Sequence, residues 1–106
     1  MLRCVILTEA GERWGMGHVS RCLAYATCLQ EKGLAVEWRV AGDGAAAAFL
    51  GDKAGQHGTW WEEPRLLAVL DACTLAIVDS YHAPPEAYAR VAASVPCCIW
   101  LDDEAR

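Results

Sequence analysis

The sequence predicts an α/β fold built on a Rossmann-like open parallel sheet, and three observations lead to this class. Short apolar runs alternate with helical segments along the whole chain. Such alternation is typical of parallel strands joined by right-handed crossover helices. The first, fourth and fifth runs are the most apolar and belong at the centre, so we expect a strand order of about 3-2-1-4-5. Polar residues follow the ends of these runs, as they do at the carboxyl edge of such a sheet.

The first half of the chain predicts two strands and two helices. Residues 2–7 are apolar and form strand one. Apolar positions recur at helical spacing over residues 18–32, and Gly33 closes that helix as its C-cap. Alternation over residues 36–40 predicts strand two with one wetter face. The glycine turn at residues 42–44 then opens an Ala-rich helix that ends near Gly51.

The second half predicts three strands separated by two helices. Thr59–Trp61 is a weak third strand, and residues 64–73 form a short helix. Leu75–Val78 is a strong central strand that ends at Asp79. The next helix opens at Pro84-Pro85 and runs to about Ser94, because proline suits the first turn of a helix. Residues 97–101 form strand five.

Strand five carries no charge, and the chain stops soon after it. An uncharged edge strand favours pairing with other chains. We therefore expect residues 1–106 to be a single but incomplete domain, truncated before further sheet. Otherwise a partner covers this edge, or the chain associates with itself through it.

Composition excludes several classes of function. The 106 residues are 55% hydrophobic and 22% charged with a net charge of −5, which is typical of a globular protein and unsuited to binding nucleic acid. No apolar stretch approaches the roughly 20 residues that cross a membrane, and the apolar start is too short for a signal peptide. Six cysteines occur without a C-x-x-C pair, so we expect reduced, buried thiols and a cytoplasmic location.

Candidate functional residues cluster at the ends of strands one, four and five. The first of these groups is a glycine-rich turn with a histidine at the start of a helix, where the helix dipole favours the neutral imidazole that a general base needs. Strands one and four are neighbours in the predicted order, so the first two groups face one cleft. The residues are Gly15, Gly17, His18 and Arg21 after strand one, Asp79, Ser80, Tyr81 and His82 after strand four, and Asp102 and Asp103 after strand five.

Each of these residues also has a purely structural interpretation. His18 is compatible with a histidine that starts a helix and bonds only to the backbone. The glycines are compatible with a tight turn, and Asp79 with a cap on the following loop. His57 and His82 are interpreted as surface histidines. Among the tryptophans, Trp14 is the candidate for stacking on a ligand.

Other binding motifs fail. Ser20 stands where the dinucleotide fingerprint needs its third glycine, and there is no P-loop. The acids and His18 lack a characteristic metal-ligand spacing, so we expect neither a metal nor a cofactor.

Three segments together resemble a known family. They are Gly15-Met16-Gly17-His18-x-x-Arg21-Cys22-Leu23, Val78-Asp79-Ser80-Tyr81 and Leu101-Asp102-Asp103-Glu104. In this order and separation they resemble the N-terminal half of PseG-type nucleotide-sugar hydrolases, whose relatives include the spore-coat polysaccharide protein SpsG. The resemblance covers nearly the whole chain.

The resemblance implies the N-terminal domain of a GT-B-like fold that hydrolyses a UDP-linked 2,4-diacetamido-2,4,6-trideoxy sugar on the route to pseudaminic acid. It implies that His18 is the base that activates water, without a metal. It also implies that Asp79 and Tyr81 line the sugar site, while Arg21 and the glycines at 15 and 17 contact the substrate.

The family also has a C-terminal nucleotide-binding domain, which is absent here, so we expect the 106-residue chain alone to hydrolyse little UDP-sugar. Two alternatives stay open: the acceptor domain of a GT-B glycosyltransferase, and the non-catalytic half of a split sugar-nucleotide enzyme.

Overall fold

The computed structural model describes residues 2–10, 17–42, 56–57 and 59–101, with main-chain placement alone for 56–57. A short 3-10 helix covers Trp60–Glu62. The strands are β1 (Arg3–Ala10), β2 (Ala35–Gly42), β3 (Gln56–His57), β4 (Leu75–Asp79) and β5 (Cys97–Trp100), and the helices are α1 (Gly17–Glu31), α2 (Leu66–Asp71) and α3 (Pro85–Ser94).

The strands form one parallel sheet in the order β3-β2-β1-β4-β5, which confirms the α/β class. Strand β1 is central and pairs with β2 on one side and β4 on the other. The chain leaves β1 toward β2 and later crosses back to β4. The gap between β1 and β4 is therefore the point at which the strand order reverses, where ligands bind in open α/β sheets.

The predicted third strand is wrong, because residues 59–61 do not form a strand and other residues occupy the position beside β2. Trp60–Glu62 forms a 3-10 helix, and the strand beside β2 is the two-residue β3. The reason is the packing of Trp60, whose side chain is buried and whose indole N–H donates to the Thr8 carbonyl oxygen over 3.1 Å. An indole used in this way ties the segment to the core instead of to a sheet edge.

The sheet is covered on both faces. Alternate residues of β1 enter different cores: Val5 and Leu7 pack in one cluster with α2 and α3, whereas Cys4 and Ile6 pack in another with α1. This double burial explains why the central strands are continuous apolar runs.

Strand β1 is longer than predicted, because it continues through Thr8 and Glu9 to Ala10. Both polar residues are fully buried. The Thr8 hydroxyl donates to the carbonyl oxygen of Asp79 over 2.9 Å, so its hydrogen-bonding capacity is met inside the fold. Polar residues thus form the carboxyl end of the central strand.

The helix ends follow the expected chemistry. Gly33 has a φ of +90°, so it serves as the predicted C-cap of α1, and Pro85 stands in the first turn of α3. Helix α2 is shorter than predicted. The predicted Ala-rich helix lies outside the described residues. Within the part of the chain that the structure describes, no helix has both the length and the apolar character needed to span a membrane.

Strand β5 occupies one edge of the sheet, and Ile99 and Trp100 are about 40% exposed there. The ring of Tyr88 stacks on Trp100 with 4.5 Å between ring centroids. Association of the chain with itself or with a partner through β5 stays a prediction.

The core assignment is testable on helix α2. Leu70 is fully buried and Leu67 is 52% exposed. We expect Leu70→Ala to lower the free energy of unfolding by about 2–5 kcal/mol, because it removes buried methyl groups and leaves a cavity. The matched control Leu67→Ala should change it by less than about 0.5 kcal/mol. Urea denaturation measures both, and equal losses would contradict the packing described.

Candidate functional site

The carboxyl ends of β1 and β4 carry a buried polar cluster. Thr8 of β1 lies opposite Asp79 of β4, and Glu9 follows Thr8. The first turns of α1 place His18 and Arg21 over this end of the sheet. Three separate segments therefore supply the cluster, which lies at the topological switch point of the sheet.

Asp79 is the centre of the cluster. It is fully buried, and its Oδ1 lies 2.5 Å from Nδ1 of His18. Arg21 donates to both carboxylate oxygens, through Nε to Oδ2 and through Nη2 to Oδ1, each over 2.8 Å. Such a two-point guanidinium–carboxylate contact fixes both partners in one orientation. The thiol of Cys22 lies 3.8 Å from Oδ2.

The order of residues in α1 explains this convergence. Residues three or four apart lie on one face of a helix, so His18, Arg21 and Cys22 all project toward β4. Their side chains meet one carboxylate. The H-x-x-R-C spacing is therefore the local signal that brings the site together.

His18 is 7% exposed and bound at one ring nitrogen. Since the Asp79 carboxylate only accepts when it is ionised, the contact at Nδ1 assigns the ring proton to that nitrogen. The other nitrogen, Nε2, lies 3.8 Å from Oε2 of Glu9, which is too long for a hydrogen bond. The ring of Tyr81 meets the His18 ring edge-on with centroids 4.5 Å apart.

Glu9 is a functional candidate that the sequence reasoning missed. Its fully buried carboxylate accepts hydrogen bonds from the Ser80 hydroxyl, from the His82 backbone N–H over 3.1 Å and from Nδ1 of His82 over 2.6 Å. His82 was interpreted as a surface histidine, and its side chain is indeed half exposed, but its ring is bound to Glu9. The available signal was an acid two residues after the apolar run that ends at Leu7.

The loop from Ser80 to Ala83 is held from both sides. The Ser80 hydroxyl accepts from the Ala83 backbone N–H over 3.2 Å, and the Tyr88 hydroxyl donates to the Ser80 carbonyl oxygen. Tyr81 lies between these anchors and is 40% exposed. It therefore forms a rim beside His18.

The structure places Asp79 and Gly17 differently from expectation. Asp79 was expected to line a sugar site, yet its carboxylate is buried and bonded to His18 and Arg21, so it acts on those side chains. Gly17 was expected to permit a tight turn, but it is the first residue of α1, and a Cβ added there would meet nothing within 4 Å. Gly15, Trp14, Asp102, Asp103 and the side chain of His57 lie outside the described residues.

The cysteines are all free but not all buried, which corrects the expectation of uniformly buried thiols. Cys28 and Cys97 are exposed, because they stand on the outer face of α1 and at the start of the edge strand. Burial, and then the negative charge of Asp79, raise the pKa of the Cys22 thiol to about 12. Burial likewise raises the pKa of Cys4 to about 12. Among the described residues, no group of three or more His, Cys, Asp and Glu side chains is arranged to hold a metal ion.

Fold and site together define an α/β chain that carries a buried histidine–aspartate pair at the carboxyl end of its parallel sheet. Comparison of the chain with protein families, with curated proteins and with solved structures finds no match.

Thiol chemistry tests the burial of the site. At pH 8 we expect iodoacetamide to label Cys28 in the folded protein and to leave Cys22, on the same helix, unmodified. The thiolate is the reactive form, and a thiol with a pKa of about 12 supplies very little of it at this pH. Mass spectrometry of the digested protein measures each site, and urea should expose Cys22. Comparable native labelling at both positions would contradict the site geometry.

Proposed function

We propose that this chain is the N-terminal, base-carrying domain of a nucleotide-sugar hydrolase with a GT-B-like architecture. The substrate class is a UDP-linked 2,4-diacetamido-2,4,6-trideoxyhexose, as the resemblance of three segments implies. The observation that carries the proposal is the contact of His18 Nδ1 with buried Asp79 over 2.5 Å. This contact directs the lone pair of the neutral ring to Nε2, the nitrogen that takes up a proton.

The proposed reaction is hydrolysis at the anomeric carbon. Nε2 of His18 takes a proton from water as the water oxygen bonds to that carbon. The bond between the anomeric carbon and the phosphate oxygen breaks, and its electron pair leaves with UDP. Because UDP leaves as a stabilised anion, the step needs little acid assistance. A base positioned in this way typically contributes about 10²–10⁴-fold to the rate.

The proposal assigns different roles to the neighbouring residues. Asp79 orients His18 and stabilises the imidazolium that forms when the ring takes a proton. Arg21 was expected to contact the substrate, but its guanidinium binds both oxygens of Asp79, so we assign it the positioning of that carboxylate. Tyr81 keeps its expected role as a wall of the sugar site, because its exposed ring lies beside His18. Gly15 and Gly17 keep the expected contact with the sugar phosphate.

The nucleotide itself belongs in this proposal to a second, C-terminal domain or to a partner chain. No cofactor is required for the reaction. The free state of the six cysteines supports a cytoplasmic setting. The same histidine in a glycosyltransferase would deprotonate a sugar hydroxyl instead of water, and a split enzyme would need its partner for turnover.

Replacement of His18 tests the assigned base. In the full-length gene product, we expect His18→Ala to lower kcat for UDP release at least about 10²-fold, because water loses its base. Binding of UDP should remain nearly unchanged. The matched control is Gln30→Ala, an exposed position on the same helix. Chromatography of UDP with and without an acceptor sugar gives the readout.

Each other result of that assay has a defined meaning. Turnover of His18→Ala within a few-fold of the parent would show that His18 is structural. Product formed only with an acceptor sugar would replace hydrolysis by glycosyl transfer. Turnover only after a nucleotide-binding partner is added would identify a split enzyme.

Asp79→Asn tests the orienting role. Asn offers a single acceptor oxygen, so it cannot serve both His18 and the Arg21 fork. We expect kcat to fall about 10²-fold or more, with the ring proton of His18 no longer fixed on Nδ1. Kinetics and the ¹⁵N signals of the ring measure the two effects. Asp71→Asn, at an exposed acid that ends α2, is the control. An unchanged kcat in Asp79→Asn would remove Asp79 from the mechanism.

A further inference from the structure

Among the described residues, the buried carboxylate of Glu9 has no role in the mechanism above. This carboxylate has no exposed surface, and its three described donors all come from the loop after β4. A buried carboxylate is costly unless it is fully hydrogen-bonded. The loop therefore supplies the hydrogen bonds that the buried Glu9 carboxylate needs, and the same bonds hold the loop in place.

This reciprocal arrangement determines where Tyr81 lies. Its two neighbours in the chain, Ser80 and His82, are both bonded to Glu9. With both neighbours held, the Tyr81 backbone has little freedom to move away from the sheet. The Tyr81 ring is thereby kept against the ring of His18.

Glu9 also acts on His18 through charge. Its Oε2 lies 3.8 Å from Nε2, and neither side chain is more than 8% exposed. Opposite charges at this separation attract more strongly when they are screened little by water. When His18 takes up a proton, the resulting imidazolium lies between two carboxylates, with Asp79 at Nδ1 and Glu9 near Nε2.

Ionisable side chains from the described residues lie around the His18 ring. These groups come from two strands, one helix and the loop after β4. They are Glu9 of β1, Arg21 and Cys22 of α1, Asp79 of β4, and Tyr81 and His82 of the loop.

We propose that Glu9 is a positioning residue of this site, which holds Tyr81 against His18 and balances positive charge on the ring from its Nε2 side. The consequence for turnover rests on the proposed function, in which His18 is the base. The position of Tyr81 and the charge near Nε2 of His18 do not depend on the proposed function, so both are measured without substrate.

The experiment is NMR spectroscopy of ¹⁵N-histidine protein with Glu9→Gln, which keeps the size of the side chain and removes its charge. We expect the ¹⁵N signals of the His18 ring to shift, because the substitution removes a charge whose Oε2 lies 3.8 Å from Nε2. The nuclear Overhauser effect between Tyr81 and His18 should weaken, because the amide nitrogen of Gln cannot accept the hydrogen bond that Nδ1 of His82 donates to Oε2 of Glu9. Glu37→Gln is the matched control, since that acid lies on β2 and pairs with Arg3.

A second variant keeps the test decisive if Glu9→Gln does not fold. Ser80→Ala removes the hydroxyl that bonds both Glu9 and the Ala83 N–H, and it leaves the charge on Glu9. We expect a weaker Tyr81–His18 effect with little change in the ¹⁵N signals of the His18 ring. An unchanged Tyr81–His18 contact in Ser80→Ala would overturn the positioning role. Unchanged His18 ring signals in Glu9→Gln would overturn the charge role.

The activity assay separates this proposal from the proposed function. With His18 as the base, Glu9→Gln should lower kcat and leave KM nearly unchanged, because Tyr81 is held less firmly and the imidazolium formed in the reaction loses a nearby opposite charge. If His18→Ala leaves turnover intact, the hydrolase proposal fails and the NMR arm still decides the role of Glu9. If His18→Ala abolishes turnover and neither NMR effect occurs, the role of Glu9 alone fails.

Discussion

The buried carboxylate of Asp79 is the constraint on which the rest of this site depends. It ends strand β4 and accepts hydrogen bonds from two N–H groups of Arg21 and from the ring of His18. The intact arrangement contributes little net stability, because burying charges is costly. Removal of one partner, however, would lower stability strongly, since an uncompensated charge would remain buried. Helix α1 is therefore fixed over β4 by charge as well as by apolar packing, and the orientation of His18 follows from that fixation.

The architecture was largely predictable because its signals are local. Continuous apolar runs identified β1, β4 and β5, the alternation at Val36–Val40 identified β2, and Gly33 ended α1 where expected. The third strand was wrongly predicted for a reason that the sequence conceals. An aromatic pair suits a strand by composition, but Trp60 is fixed by a hydrogen bond to Thr8, which lies 52 residues earlier in the chain. Contacts at that distance leave no local pattern.

The location of the site was predictable, but the contacts between its side chains were only partly so. The strand-end rule brought His18, Asp79 and Tyr81 together, and the structure gives them direct contacts. The rule did not show that Asp79 faces inward, because that depends on Arg21 reaching the same carboxylate from α1. Glu9 was missed since β1 extends beyond its apolar run, and an acid after such a run is usually the start of a solvated loop.

The separation of the cluster's members along the chain has a consequence for folding. Asp79 is 61 residues from His18 and 58 from Arg21, and Glu9 is 73 from His82. Until β4 inserts beside β1, the contacts of Asp79 with His18 and Arg21 and of Glu9 with His82 cannot form, and a compact intermediate that buried these charges without them would be unstable. Their pairing stabilises the chain only after a long loop has closed. The site therefore forms in the same folding step in which β4 pairs with β1.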